Sequence, residues 1–297
     1  KTKKSKTKIK KILIIFINLK DGKILSHKFL KKKLKVYGVT NKLGAEKDKR
    51  INLINIYKCN LDKIIRKFEE IKPDVIVHFG SSNPSFNRNF TKKEYVYNLK
   101  FTKKIIDYIS VKNIKLILPS SSLIFKKSKK KINENSKIES KSFYSKFRND
   151  SSKYLMDKKK KNRIKATIVI LFNHDSKFRN ERFLFPRLIK SIKYKNYSFL
   201  KKIYRENISG DFSHADDICE AIFLLIKSKK NPDKIILSSG KRTYINDIID
   251  FFMPNIKYKY NKLDFRKNEL IIGNNSKAIS LLKWKIKKNS LDAAKEL

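Results

Sequence analysis

The chain has 297 residues, with 74 Lys and Arg against 27 Asp and Glu, a formal net charge of +47. Hydrophobic residues make up 40%, which is enough for a core to offset chain entropy and excludes wholesale disorder. Seven Gly and six Pro exclude a collagen-like or Gly-rich low-complexity chain.

In chain order, Ile12–Ile17 is a continuous apolar run of the kind a buried parallel strand needs. Ile24, Leu25, Phe29 and Leu30 follow at helical spacing. Val36–Val39 and Ile51–Tyr57 read as strands, and Leu61–Ile71 as an amphipathic helix stopped by Pro73. Asp74–Phe79 is a further buried strand, Tyr95–Ser110 a helix, and Ile114–Leu118 and Ala166–Phe172 two more strands. This β-α-β-α order predicts an α/β fold, a doubly wound parallel sheet with helices on both faces over residues 1–172. Residues 173–297 mix shorter elements and read as a smaller lobe, with segments returning to the sheet.

The charge has two readings. Lys and Arg can neutralise phosphates on a nucleic acid or another polyanion. Alternatively the composition has drifted, since Lys is spread along the whole chain and runs such as Lys31–Lys33, Lys126–Lys131 and Lys158–Lys161 sit between apolar segments. Drift is the preferred reading, with nonspecific polyanion binding as its by-product. Cys59 and Cys219 lack metal-type spacing, which points to a reduced, cytoplasmic setting. Lys1–Lys11 before Ile12–Ile17 imitates a signal peptide, but the apolar core is short and no small-residue cleavage site follows. No stretch approaches the roughly 20 apolar residues of a membrane span.

Ligands of open α/β sheets bind beyond the carboxyl ends of the strands. That rule singles out the residues just after Ile17, Val39, Phe79, Leu118 and Phe172, among them Asn18, Gly80 and Ser81. At the first strand-to-helix turn, a G-x-x-G-x-x-G spacing keeps only its last glycine, Gly22, with Phe16 and Leu19 in the other places. Side chains there are expected to fill the space of a pyrophosphate on the helix N-terminus. Ser121, Tyr144 and Arg148 form a hydroxyl, a phenol and a cation one helical turn on, the pattern in which a cation assists a phenolate base. The alternative is a loop hydroxyl and a half-buried aromatic. Arg for Lys in such a trio changes shape and hydrogen bonding. His174 and His214 are not at metal spacing and read as structural or substrate-contacting, with no metal expected.

With these motifs in order, the chain resembles the extended short-chain dehydrogenase/reductase (NAD-dependent epimerase/dehydratase) family, and within it most closely the GDP-mannose 4,6-dehydratases. The residues that carry the resemblance are Asp21-Gly22, Ile71–Gly80, Asn98, Ser120–Ser122 with Tyr144, Leu171–Ser176, Asp211–Asp217, Phe265-Arg266, Gly273–Ala278 and Leu282–Trp284. The resemblance implies a Rossmann-type NADP-binding domain, a nucleotide-sugar-binding lobe and dimers or tetramers. It implies C4 oxidation of the hexose, loss of water and return of the hydride to C6. Tyr144 would be the base, Ser121 its partner and Arg148 the substituted lysine. Asp21, Gly22, Asn18, Phe79, Gly80, Ser81, Asn173, His174 and Arg179 would lie toward the cofactor, and Asn173, Arg179, Arg266 and Glu269 toward the nucleotide-sugar. Leu123 stands where the resemblance implies the glutamate that moves the proton in water elimination. That departure opens a second expectation, a pseudoenzyme of the same fold that binds nucleotide-sugar or partner subunits. A third is a basic nucleic-acid-binding protein.

Overall fold

Ile12 and Ile14 face one core and Leu13 and Ile15 the other, so the first apolar run has apolar cover on both sides. A strand of that kind belongs inside a sheet flanked by helices. A computed structural model describes residues 9–40, 48–56, 60–80, 83–85, 88–255 and 271–297. The first part holds β1 (Lys11–Ile15), α1 (Lys20–Lys31), β2 (Lys35–Thr40), β3 (Ile51–Asn55), α2 (Leu61–Ile71), β4 (Val75–His78), α3 (Lys92–Ser110), β5 (Lys115–Ser121), α4 (Phe143–Lys161) and β6 (Ala166–Leu171). The second holds β7 (Asn173–Asp175), α5 (Leu184–Lys193), α6 (Tyr197–Glu206), β8 (Ser209–Gly210), β9 (Phe212–His214), α7 (Ala215–Lys227), β10 (Lys234–Leu237), β11 (Thr243–Tyr244), α8 (Ile245–Phe252), α9 (Ser276–Leu282) and α10 (Ser290–Lys295).

Among the described residues, seven strands form one sheet in the order β10-β6-β5-β4-β1-β2-β3, with every neighbouring pair parallel. The chain steps outward from β1 to β2 and β3, then returns to place β4 on the other side of β1. The reversal between β1 and β4 is the switch point at which a doubly wound sheet opens a crevice. α1 and α7 cover one face through Leu25, Phe29, Ile222 and Leu225. α2, α3 and α4 cover the other through Phe68, Phe101, Ile105 and Leu155. Each such fully buried side chain contributes about 1.5–3 kcal/mol.

Local signals explain the helix starts. The Asn60 side chain accepts from Lys63 N at 2.8 Å, and Thr91 and Glu94 form a reciprocal capping box at α3. The helix expected from Tyr95 therefore starts earlier, at Lys92.

The strand expected to end at Leu118 runs on to Ser121 and is followed by a 3₁₀ turn at Ser122–Ile124. Pairing with β6 carries it on, because Ser121 still lies opposite Leu171. Pro119 has no N–H to give, and it lies beyond Ile117, the last β5 residue paired with β4.

Beyond residue 173 the chain does two things. α7 and β10 complete the main sheet and its cover. α5, α6, α8 and α10 gather around Phe185, Leu200, Phe212 and Ile248 in a separate core. The short pair β7–β9 links that lobe to the end of β6. Among the described residues no helix is long and apolar enough to cross a membrane.

Candidate functional site

The turn after β1 keeps the backbone of a glycine turn while carrying a phenylalanine. Phe16 has φ 62°, a left-handed conformation that a bulky side chain adopts only under strain. Its ring does not fill the crevice as the spacing suggests. It packs into the core beside Leu13, Ile15 and Val39, and Leu19 packs against both cores. Gly22 is required where it stands, because a Cβ there would lie 2.5 Å from the Ile17 carbonyl oxygen. The first turn of α1 thus lies tight on the strand end, as the last glycine of such a fingerprint allows.

Asp21 sits in that first turn and joins the two parts of the chain. Its carboxylate accepts from Lys20 Nζ at 2.7 Å and from His174 Nε2 at 3.0 Å. Burial alone would raise the Asp21 carboxyl. The charges and hydrogen bonds of His174 and Lys20 outweigh it and hold the carboxyl well below the usual carboxylate range. Burial, with Arg179 nearby, pushes the Lys20 ammonium down. His174 Nδ1 lies 2.6 Å from the Phe172 carbonyl, so both ring nitrogens face oxygen acceptors. Arg179 Nε pairs with Asp175 at 2.9 Å, and its guanidinium lies over the Phe183 ring at 3.5 Å. The side chain of Asn18 accepts from the Thr40 hydroxyl at 3.2 Å. Asn173 is exposed at the start of β7, two residues past the end of β6.

The hydroxyl, phenol and cation come to the carboxyl ends of β4 and β5 but are each held by other partners. Ser121 Oγ accepts from Leu123 N at 3.2 Å. The Tyr144 hydroxyl donates to Asn83 Oδ1 at 2.9 Å, and its ring packs on Phe90 and Phe147. Arg148 is buried beneath them. Its Nη1 donates to the Pro119 carbonyl at 2.9 Å and its Nη2 to the Phe79 carbonyl at 3.0 Å. It thereby closes the gap that opens where β4 and β5 stop pairing. Its Cζ lies 5.1 Å from the Tyr144 ring centroid, so it meets the ring face. Among the described residues no hydrogen bond joins Ser121 to Tyr144. Leu123 is exposed beside them, with no carboxylate in its place. Tyr154 and Lys158, whose spacing imitates the trio, both bond Asp107 on the α3 surface.

Other candidates have structural partners. Asp211 accepts from Ser239 N, Ser239 Oγ, Gly240 N and Gly273 N at 2.6–3.1 Å, and so ties three segments together. Asp217 accepts from Lys287 N and Lys288 N. His214, Asp216 and Glu296 cluster closely enough to suggest a cation site, but Lys288 Nζ already bonds both carboxylates at 2.8 Å. Ser81, Arg266, Glu269 and Cys59 lie outside the described residues. Sequence reasoning missed Asn83 as the Tyr144 partner and the burial of Lys20. It also missed the Asp175–Arg179 pair, because residues 175–179 are not helical and their spacing gives no pairing signal.

Whether this site suits a nicotinamide dinucleotide turns on the first turn. The glycine-type backbone at Phe16, the close approach at Gly22 and the inward packing of Phe16 and Leu19 leave the main-chain amides of α1 as the anion-facing groups. On these observations the residues fit.

A sequence profile described as the NAD dependent epimerase/dehydratase family matches residues 20–240. Two proteins of Arabidopsis thaliana, GDP-mannose 4,6 dehydratase 1 and 2, are each 23% identical over 93% and 92% of this chain and 85% and 82% of their own lengths. UDP-glucuronic acid 4-epimerase from Bacillus cereus, solved in complex with NAD, superposes with a TM-score of 0.77 at 18% identity and covers 96% of each chain. dTDP-glucose 4,6-dehydratase from Bacillus anthracis, also solved with NAD, gives 0.77 at 12% identity over 97% of this chain and 94% of its own. With most of its length matched from the first helix to the loop after β10, this chain belongs to the NAD dependent epimerase/dehydratase family.

Proposed function

We propose that this chain is a nucleotide-sugar-binding member of the family, of the GDP-hexose type, whose proton-transfer centre is impaired. It holds NADP on the first turn of α1, with Asn18, Gly22 and the Asp21–His174 pair shaping that end of the crevice. The dinucleotide, when bound, supplies hydride acceptance and return. The chain's own residues bind and orient the sugar nucleotide from the β6 end, where Asn173 and Arg179 lie. Self-association into dimers or tetramers and a cytoplasmic setting belong to the same proposal.

The observation that carries the reading is the engagement of Arg148. A cation that assists a phenolate must face the ligand side of the phenol. Here both terminal nitrogens donate to main-chain carbonyls of Phe79 and Pro119. Leu123 adds a second deficit, since a leucine cannot exchange a proton. The relatives named as GDP-mannose dehydratases support the choice of sugar nucleotide.

Calorimetric titration with NADPH, NADH and GDP-mannose, with chromatographic assay of the same mixtures for a 4-keto-6-deoxy product, tests this. The expected result is saturable binding of a dinucleotide and of GDP-mannose with no product above the protein-free control. Steady product formation would overturn the impairment. Absence of binding by both ligand classes would overturn the reading as a whole.

A further inference from the structure

The parallel sheet places all seven described strand starts along one edge, opposite the crevice. Exposed cations stand at each of them. Lys10 precedes β1, Lys32 β2, Lys49 β3, Lys72 β4, Lys112 β5, Arg163 β6 and Lys230 β10. α1 and α4 end on the same edge in Lys31–Lys33 and Lys158–Lys161. The sequence scatters these residues over more than 200 positions; the topology collects them. Six strand spacings of ~4.8 Å make a ridge about 29 Å long.

Acids on this edge do little to offset it. Asp74 accepts the main-chain N–H groups of Lys10 and Lys11, Asp107 pairs with Lys158, Asp233 with Lys159, and Asp48 with Arg50. Glu69 and Glu70 at the end of α2 interrupt the ridge, with Glu70 paired to Lys67. No aromatic residue lies in the segments that lead into the strands, and Val111 is their one strongly exposed aliphatic side chain among the described residues. The ridge therefore lacks a stacking platform for unpaired bases. It also lacks the apolar set that seats a protein in a lipid interface.

We propose that this edge docks the phosphate backbone of double-stranded nucleic acid without sequence preference. A ridge of lysines and arginines with no base-reading or stacking groups recognises regularly spaced phosphates and nothing finer. Neutralising about five phosphates gives a log–log salt slope near −4.5. Lysine at helix C-termini is also favoured by the helix dipole. A second lysine-rich segment separates docking from bulk charge. Residues 126–131 follow the carboxyl end of β5 and carry five exposed lysines of their own.

The test is fluorescence anisotropy with a labelled duplex of about 24 base pairs over roughly 50–200 mM salt. Three proteins are compared: the wild-type chain, an edge variant (K31E, K32E, K112E, K161E, R163E), and a control (K126E, K127E, K129E, K130E, K131E) with the same change in charge. The edge variant should lose at least about 100-fold in affinity and most of the salt slope, and the control less than about tenfold. Equal losses in the two variants would overturn the proposal, as would tighter binding to single strands or to anionic vesicles of phosphatidylserine. Lysine acetylation of the wild-type chain, read by mass spectrometry, gives a second readout that needs no variant. Duplex should protect Lys31–Lys33, Lys112 and Lys161 and leave residues 126–131 reactive; the reverse pattern refutes the docking surface.

Discussion

The guanidinium of Arg148 rests on the bare Cα of Gly80. A Cβ built on Gly80 would come 2.5 Å from Nη1, and Gly80 has φ 88°, a conformation that costs any other residue. The glycine, the arginine and the two carbonyls that it bridges form one unit that closes the ends of β4 and β5. Gly80→Ala combines backbone strain with a steric conflict and is expected to cost about 2–4 kcal/mol. Arg148→Lys keeps the charge but cannot bridge both carbonyls, and should cost about 1–3 kcal/mol. Chemical denaturation measures both. A double variant close to the worse single one would show that the two residues act together; full additivity would separate them.

Phe16 sets strain against packing. A left-handed backbone at a bulky residue costs about 1–2 kcal/mol, which Phe16→Gly would release. Losing a buried aromatic ring costs about 3–5 kcal/mol. The net expectation is a loss of about 2–3 kcal/mol in denaturant midpoint analysis. A more stable variant would mean that the ring contributes little to the core.

Much of this was legible in the sequence because apolar runs and helix periods are local. Six of the seven strands, the parallel order and the strand-end rule come from patterns a few residues long, and α2 was read to the residue at Leu61–Ile71; the seventh strand, β10, was expected only as a segment returning to the sheet. The direction of the Phe16 ring was not legible. Spacing shows that a glycine is missing, and only the packing of β1 against β2 and α2 shows that a ring has room in the core. The partners of Arg148 were hidden for a similar reason. They are main-chain carbonyls, which every residue carries and which no side-chain motif marks.

His78 gives an acid limb to stability. It is buried on β4, with Nε2 2.9 Å from Thr102 Oγ1. Burial, helped by the Arg148 charge, lowers its pKa from 6.5 to about 3. The unfolded chain therefore binds a proton that the folded chain refuses between those values. The stability that neutral His78 preserves is complete above pH 6.5 and is lost as pH falls toward 3, at about 1.4 kcal/mol per pH unit from this group. His78→Gln should flatten the fall in unfolding free energy between pH 6.5 and pH 4 relative to wild type. Parallel curves for the two proteins would refute the assignment.

Lys20 and Asp21 are adjacent in sequence, yet their substitution should be far from symmetrical. Lys20→Met leaves the Asp21 carboxylate with His174, and the apolar chain suits the buried space, so the cost should stay below about 1.5 kcal/mol. Asp21→Asn leaves a buried ammonium without its counter-charge, which typically costs about 3–5 kcal/mol. Combining the two removes the unpaired ammonium and should recover about half of that loss. The pH dependence has a definite sign. The Asp21 carboxyl is held below its unfolded value, so its contribution is present above the usual carboxylate range and fades as pH falls through and below it. Unfolding of the four proteins at pH 7, followed below pH 4 for those that remain folded there, closes the cycle. A Lys20→Met variant as unstable as Asp21→Asn would mean that the lysine, rather than the carboxylate, holds the first turn of α1 to the β6 end of the crevice.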